Sequence, residues 1–296
     1  MSEDERLVPA WSEPFLGEAR SGLTHRSPFR LGWGRWLGRG TGRGVRVAII
    51  DSGVEASHPA VGGRLVRSVR VELDGDDGRV VEEPEPLDVV GHGTACAGII
   101  HGLAPDAELT SVRVLGPNNK ASGVAFAYAL DWVIDQGFRV ANLSLSSKSE
   151  DLYPTFHDLV DRAYFAGCML VCSASNMPGV PSYPAVFSSV VSVASHDIPD
   201  PWTFFYNPRP PVEFGAWGVD VRVAWRDGGE MIGTGNSFAA PHMAAIITLL
   251  VEDAPTLSPF EVKAALAALA SRPRPDRSGA GNRRRRSSPT VRAVPR

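Results

Sequence analysis

Three side chains in this sequence are of the types that nucleophilic catalysis uses together: the carboxylate of Asp51, the imidazole of His92 and the hydroxyl of Ser237. A serine hydroxyl is a poor nucleophile at neutral pH and needs a base within hydrogen-bond reach. Histidine titrates close to neutrality, and a carboxylate can hold its second ring nitrogen. Taken singly, each has a plainer use. Asp51 could simply form a turn, and His92 and Ser237 could each cap a helix. The set carries the argument. Each member stands beside glycine at the start or end of a regular element, in Asp51-Ser52-Gly53, Gly91-His92-Gly93-Thr94 and Gly233-Thr234-Gly235-Asn236-Ser237.

The elements that must position them follow from the apolar pattern. Ser237 precedes an apolar run at 239–251, too short to span a bilayer and so predicted to be a buried helix. Pro241 is placed in its first turn, where a missing N–H costs nothing, and the Ser237 hydroxyl at the start of the helix dipole. Asp51 ends the run 45–50, which reads as a buried strand, and similar runs recur at 109–115, 140–145, 169–174 and 190–194. Helical patterns lie between several of them, at 93–102, 122–137 and 156–167. In the second, Phe126, Leu130, Val133 and Ile134 share a face, with Ser122 as cap and Gly137 as stop. Such alternation predicts an α/β domain whose mostly parallel sheet is covered by helices on both faces. Ligands bind beyond the carboxyl ends of strands in such sheets, and Asp51 stands at one.

Ile50-Asp51-Ser52-Gly53-Val54, His92-Gly93-Thr94-Ala95-Cys96-Ala97-Gly98 and Gly235-Asn236-Ser237-Phe238-Ala239-Ala240-Pro241-His242 together resemble the signatures of the subtilisin-like (S8) serine peptidases. The similarity covers roughly residues 44–270. It implies a three-layer subtilisin-like fold and a serine-type endopeptidase that acts on peptides or proteins through an acyl-enzyme. By the same resemblance Ser237 is the nucleophile, His92 the base and Asp51 its orienting carboxylate. Asn176 would be the side-chain donor of the oxyanion hole, beside the Ser237 N–H; the competing Asn142 matches a structural position. Ser144, Leu145, Ser146, Ser147 and Ser175 fall on the substrate-binding segments. The family usually has Ser-Leu-Gly-Gly at 144–147, Gly-Asn at 175–176, threonine at Asn236 and often methionine at Phe238. Serines in place of those glycines each add a Cβ and a hydroxyl, so a narrow pocket selective for small residues is expected. Cys96 lies four residues after His92, on the same helix face; some branches of the family carry a cysteine there, and a small buried residue is the simpler reading.

The rest of the chain sets the context. Residues 1–43 read as an irregular arm, 44–270 as the peptidase domain and 271–296 as a disordered arginine-rich tail. That tail holds nine arginines against one acid, Asp276, or +8 of a chain total of −3, which leaves −11 for the remainder. A solvated tail is favoured over a nucleic-acid patch, with an acidic partner left open. The start MSEDER is acidic with no apolar stretch after it, no run reaches transmembrane length, and Cys96, Cys168 and Cys172 form no paired framework. A cytoplasmic enzyme that touches no membrane and matures without a cleaved prodomain is expected. The loop Asp74-Gly75-Asp76-Asp77-Gly78 clusters oxygens but lacks a downstream bidentate glutamate, so an exposed acidic turn is favoured over a calcium loop. Structural calcium, which relatives often bind, has no ligand set that maps onto this chain, and no cofactor or catalytic metal is assigned. Two other classes stay open: a catalytically inactive peptide-binding module on the same fold, and a nucleic-acid scaffold led by the tail.

Overall fold

The computed structural model describes residues 9–22, 24–26, 40–75, 77–209 and 211–270. The arginine-rich tail, much of the N-terminal arm and Asp76 of the acidic loop lie outside them. The strands are β1 (Thr24–Arg26), β2 (Arg46–Asp51), β3 (Leu65–Asp74), β4 (Asp77–Glu82), β5 (Glu108–Arg113), β6 (Val140–Leu143), β7 (Met169–Ser173), β8 (Val191–His196), β9 (Phe204–Tyr206) and β10 (Phe214–Trp217). A separate hairpin pairs β11 (Val221–Trp225) with β12 (Gly229–Gly233). The helices are α1 (His92–Leu103), α2 (Gly123–Asp135), α3 (Tyr153–Phe165), α4 (Asn236–Asp253) and α5 (Pro259–Leu269).

One ten-stranded sheet runs in the order β1-β9-β10-β8-β7-β6-β2-β5-β3-β4. Pairing is parallel from β10 through β8, β7, β6, β2 and β5 to β3, and antiparallel only at the two edges. The alternation of a buried strand decides which layer each side chain joins. In β2, Val47 and Ile49 pack with α1 and α4, while Ala48 and Ile50 pack with α2 and α3. Two apolar cores therefore sit on opposite faces of the sheet, the three-layer α/β arrangement expected from the sequence. Helix α2 begins as predicted, with Ser122 Oγ accepting from the Val124 N–H at 3.2 Å, and its chain turns at Gly137 with φ +66°.

Two features differ from the expectation. Thr24–Arg26 of the arm is a strand that pairs with β9 and extends the sheet, and residues 10–15 pack into the domain. Pro241 lies inside α4 past its first turn, because the helix already starts at Asn236. A proline there withholds the N–H that would reach back to the Ser237 carbonyl four residues earlier.

Candidate active site

Asp51 and His92 are brought together by two packed elements. Asp51 is the last residue of β2 and fully buried, and His92 opens α1. A Cβ on Gly93 would stand 2.0 Å from the Gly53 carbonyl oxygen, so only glycine lets the helix start so close to the strand end. The His92 Nδ1–H donates to both Asp51 oxygens, at 2.8 and 2.9 Å. In the neutral ring a carboxylate partner favours the tautomer with the proton on Nδ1, which leaves Nε2 as the acceptor. Asp51 Oδ1 also accepts from the Ser52 N–H at 2.7 Å. Burial opposes a charge on His92, but the Asp51 carboxylate, by its charge and its hydrogen bond, and the charge of Asp88 outweigh it. The imidazole is held above its ordinary pKa. Phe238 packs against the ring, centroids 5.4 Å apart.

Asp88 had no role in the sequence reading. Its buried carboxylate accepts from the N–H groups of Val90 (3.0 Å), Gly91 (2.7 Å) and Thr94 (2.8 Å), and from the hydroxyls of Thr94 (2.6 Å) and Ser52 (2.7 Å). Ser52 Oγ in turn accepts from the Gly93 N–H at 3.0 Å. The N–H groups of Gly91, Gly93 and Thr94 at the start of α1 are thus met by side chains from neighbouring loops. An aspartate just ahead of a helix start was the available signal, as a carboxylate suits those donors.

Ser237 is half-buried in the first turn of α4, where its N–H has no acceptor from the helix itself. Its carbonyl, deprived of a donor by Pro241, accepts from Ser144 Oγ at 2.9 Å, and Asn142 Nδ2 donates to that hydroxyl at 2.9 Å. This bears on two sequence readings. Ser144, grouped with the substrate-binding residues, has its hydroxyl committed to the Ser237 backbone. Asn142 belongs to the support beneath it. Asn176 is exposed, and its Oδ1 accepts from the Asn236 N–H at 3.0 Å. A Cβ on Gly235 would lie 3.3 Å from Ser237 Oγ and 3.8 Å from Asn176 Nδ2, so both groups border one small region.

An open cleft of ≈ 570 Å³ is lined by His92, Ser237, Asn176 and Ser175, by residues 144–147, and along its rim by Lys120 and Lys148. None of the described lining residues carries a carboxylate. Leu145, Ser146 and Ser147 form one wall. Ser147 exchanges two backbone hydrogen bonds with Tyr183, at 2.9 and 2.8 Å. Ser175 Oγ accepts from the Met177 N–H at 3.0 Å. Cys96 Sγ is buried 3.7 Å from Asp51 Oδ2 and 3.4 Å from Ser144 Oγ, and burial pushes its thiol pKa well up. Asp51, His92 and Cys96 offer atoms within 4.8 Å of one another, the one such group among the described residues. There the imidazole and carboxylate already bind each other and the thiol keeps its proton. Asp74 and Asp77 of the acidic loop face each other at the tip of the β3–β4 hairpin.

Known proteins resemble this chain in sequence and in fold. The chain is 32% identical over 233 residues to the thermostable alkaline protease of Halalkalibacterium halodurans, covering 75% of this chain and 61% of that protein. Thermitase of Thermoactinomyces vulgaris is 31% identical over 220 residues, covering 71% of this chain and 75% of thermitase. Among solved structures, a cold-adapted subtilisin-like serine proteinase superposes with TM-score 0.65 at 29% identity, over 79% of this chain and 84% of that one. The chain thus spans only about three fifths of the length of the first of these relatives. The subtilase family profile matches residues 42–286, and this chain belongs to the subtilase family, the S8 serine peptidases.

Proposed function

We propose that the protein is a serine endopeptidase that hydrolyses peptide bonds through an acyl-enzyme on Ser237. The observation that carries this is the His92–Asp51 pair, bonded through Nδ1, in a cleft that also holds Ser237 and Asn176. Ser237 Oγ attacks the scissile carbonyl and its proton passes to His92 Nε2. The oxyanion accepts from Asn176 Nδ2 and the Ser237 N–H. Collapse breaks the C–N bond, and His92 returns the proton to the leaving amine. Water then repeats the sequence on the ester: His92 takes its proton, and Ser237 Oγ leaves with that proton. Asp51 stays ionised throughout and stabilises the imidazolium.

Ser146, Ser147 and Ser175 narrow the wall where the side chain before the scissile bond would sit, which supports selectivity for small residues there. Overlap with a bulky side chain costs on the order of 1 to 3 kcal/mol, as in overpacked cores. Three buried, unpaired cysteines support action in a reducing compartment, the cytoplasm. The reading is tested with a fluorophosphonate probe and matched peptides carrying Ala or Phe before the cleaved bond. Labelling confined to Ser237, loss of turnover in S237A and faster cleavage of the Ala peptide are expected. A chain that binds peptide but is neither labelled nor active is an inactive binding module.

A further inference from the structure

Asn236, immediately before Ser237, is fully buried and its side chain is bonded on every side. Its Oδ1 accepts from the Ser195 N–H at 2.9 Å and from Ser12 Oγ at 3.2 Å. Its Nδ2 donates to the carbonyls of Ala10 (2.9 Å), Ser175 (3.1 Å) and Ala174 (3.3 Å). Two of these five partners come from the N-terminal arm, more than 220 residues away in the chain. The arm touches the neighbouring loop as well, since the Ala10 N–H donates to the Asn176 carbonyl at 3.2 Å. Ala10 and Ser12 therefore contact both residues that flank the reacting groups: Asn236, whose own N–H holds Asn176 Oδ1, and Asn176 itself.

The domain is shaped to receive this segment. Phe15 is fully buried among Ala194, Phe205 and Val212. Its ring stands 2.3 Å from where a Cβ on Gly215 would be, so β10 carries a glycine where the ring needs the space. Ser12 is wholly buried, and Trp11 takes a left-handed backbone with φ 68°, which lets Ala10 and Ser12 both face Asn236. That conformation is costly for a non-glycine residue and persists where contacts on both sides hold it.

We infer that residues 10–15 are a working part of the active enzyme, and that Ser12 and Asn236 are positioning residues that set the Asn176 donor beside the Ser237 turn. The inference rests on the roles proposed above for Asn176 and Ser237. Without the arm, a buried Asn236 loses an acceptor and a donor, and the Asn176 segment loses its backbone tie. A buried amide so stripped pulls in water or shifts, and small displacements in a preorganised site are expensive. The arm then supports catalysis, and its removal lowers activity where removal of an inhibitory segment would raise it.

The test uses the full-length chain as S12A, N236A and the double variant, at a temperature where circular dichroism shows each folded. Peptide kcat and KM are measured together with the rate of fluorophosphonate labelling. S12A is expected to lower kcat about five- to tenfold at unchanged KM. The same substitution should change kcat by less than twofold when added to N236A. Should N236A not fold, the kcat of S12A alone decides. Unchanged kcat in S12A, or an equal loss from S12A in both backgrounds, overturns the inference. If Ser237 is labelled in the unmutated chain while S12A turns over normally, only the arm's role falls. If Ser237 is not labelled at all, the catalytic reading beneath it falls too.

Discussion

The two halves of the site are built in opposite ways. The Asp51–His92 half is assembled from one strand end, one helix start and the short loop before it, with the buried Asp88 carboxylate accepting from N–H groups at the start of α1 and Asp51 accepting from the Ser52 N–H. The Ser237–Asn176 half is assembled from pieces scattered along the chain, namely residues 10–15, 142–144, 174–176, 195 and 236. A compact assembly tolerates distant changes, whereas a scattered one inherits the stability of everything it leans on. The halves should therefore fail under different insults.

The largest effect is expected at the donor that belongs to the scattered half alone. Asn176→Ala should cost about 10²- to 10³-fold in kcat with little change in KM, because the donor is needed only once the oxyanion forms. Residual turnover above the S237A background would remain, since the His92–Asp51 pair is untouched. Equal kcat in N176A and the parent chain would remove Asn176 from the oxyanion hole.

Acid should separate the halves by sign. His196 and His242 lie under the Ser237 side, one at the end of β8 and the other in α4, and burial lowers both pKa values to about 4. Their folded values are depressed below 6.5, so their contribution is complete above that pH and is lost as pH falls through 6.5 towards 4. Each represents about 3 kcal/mol at full loss. His92 runs the other way. Its raised pKa contributes stability below the unfolded value and loses it as pH rises through the folded one. Urea midpoints between pH 7 and pH 4 should fall, and replacing His196 or His242 with a neutral residue that still folds should flatten the curve. A midpoint independent of pH over that range would refute the assignment.

How much of this was legible in the sequence follows the same division. Long apolar runs and glycine-flanked polar residues are local signals, so β2, β5, β6, β7, β8, α1, α2 and α4 could be read with Asp51, His92 and Ser237, which β2, α1 and α4 present. Short strands such as β9 and β10 have too few residues to show a period, and their pairing is decided by the sheet they join. Phe15 reads as one aromatic in an irregular arm, since only Gly215, 200 residues later, makes a place for it. Pro241 could be seen, but that its missing N–H would recruit Ser144 depends on where β6 ends relative to α4. Asp51, His92 and Ser237 carry the motif, while many of the groups that hold them are partners at a distance.

Asp88 offers a smaller, directional test within the compact half. Its charge helps raise the His92 pKa, and its oxygens take the N–H groups at the start of α1. Asp88→Asn keeps the shape but removes the charge and places an amide donor against other donors. The acid limb of kcat/KM should move to lower pH, because His92 releases its proton more readily. Loss of a buried acceptor should also cost about 1 to 3 kcal/mol of stability. An acid limb that stays in place while stability falls would assign Asp88 to packing alone.

The smallest expected effect concerns what the cleft attracts. Two of the chain's three lysines, Lys120 and Lys148, stand on the rim, and no carboxylate lines the described part of the cleft. The described residues pair neither with an acid, whereas the third, Lys263, is bonded to Glu213 at 2.6 Å. Outside its tail the chain is acidic, so this cleft is a local exception that draws negative charge towards Ser237. Both ammonium groups are exposed and screened, which limits each to about 0.2 to 1 kcal/mol. A peptide with Glu flanking the small residue at the cleavage point should therefore show a KM up to about fivefold below its Gln counterpart. The advantage should shrink at 1 M salt, where the screening length is about 3 Å. It should disappear in K120A/K148A while kcat is kept, since neither lysine touches the reacting atoms. Equal KM for the Glu and Gln peptides at low salt would show that selectivity lies in the serine wall alone.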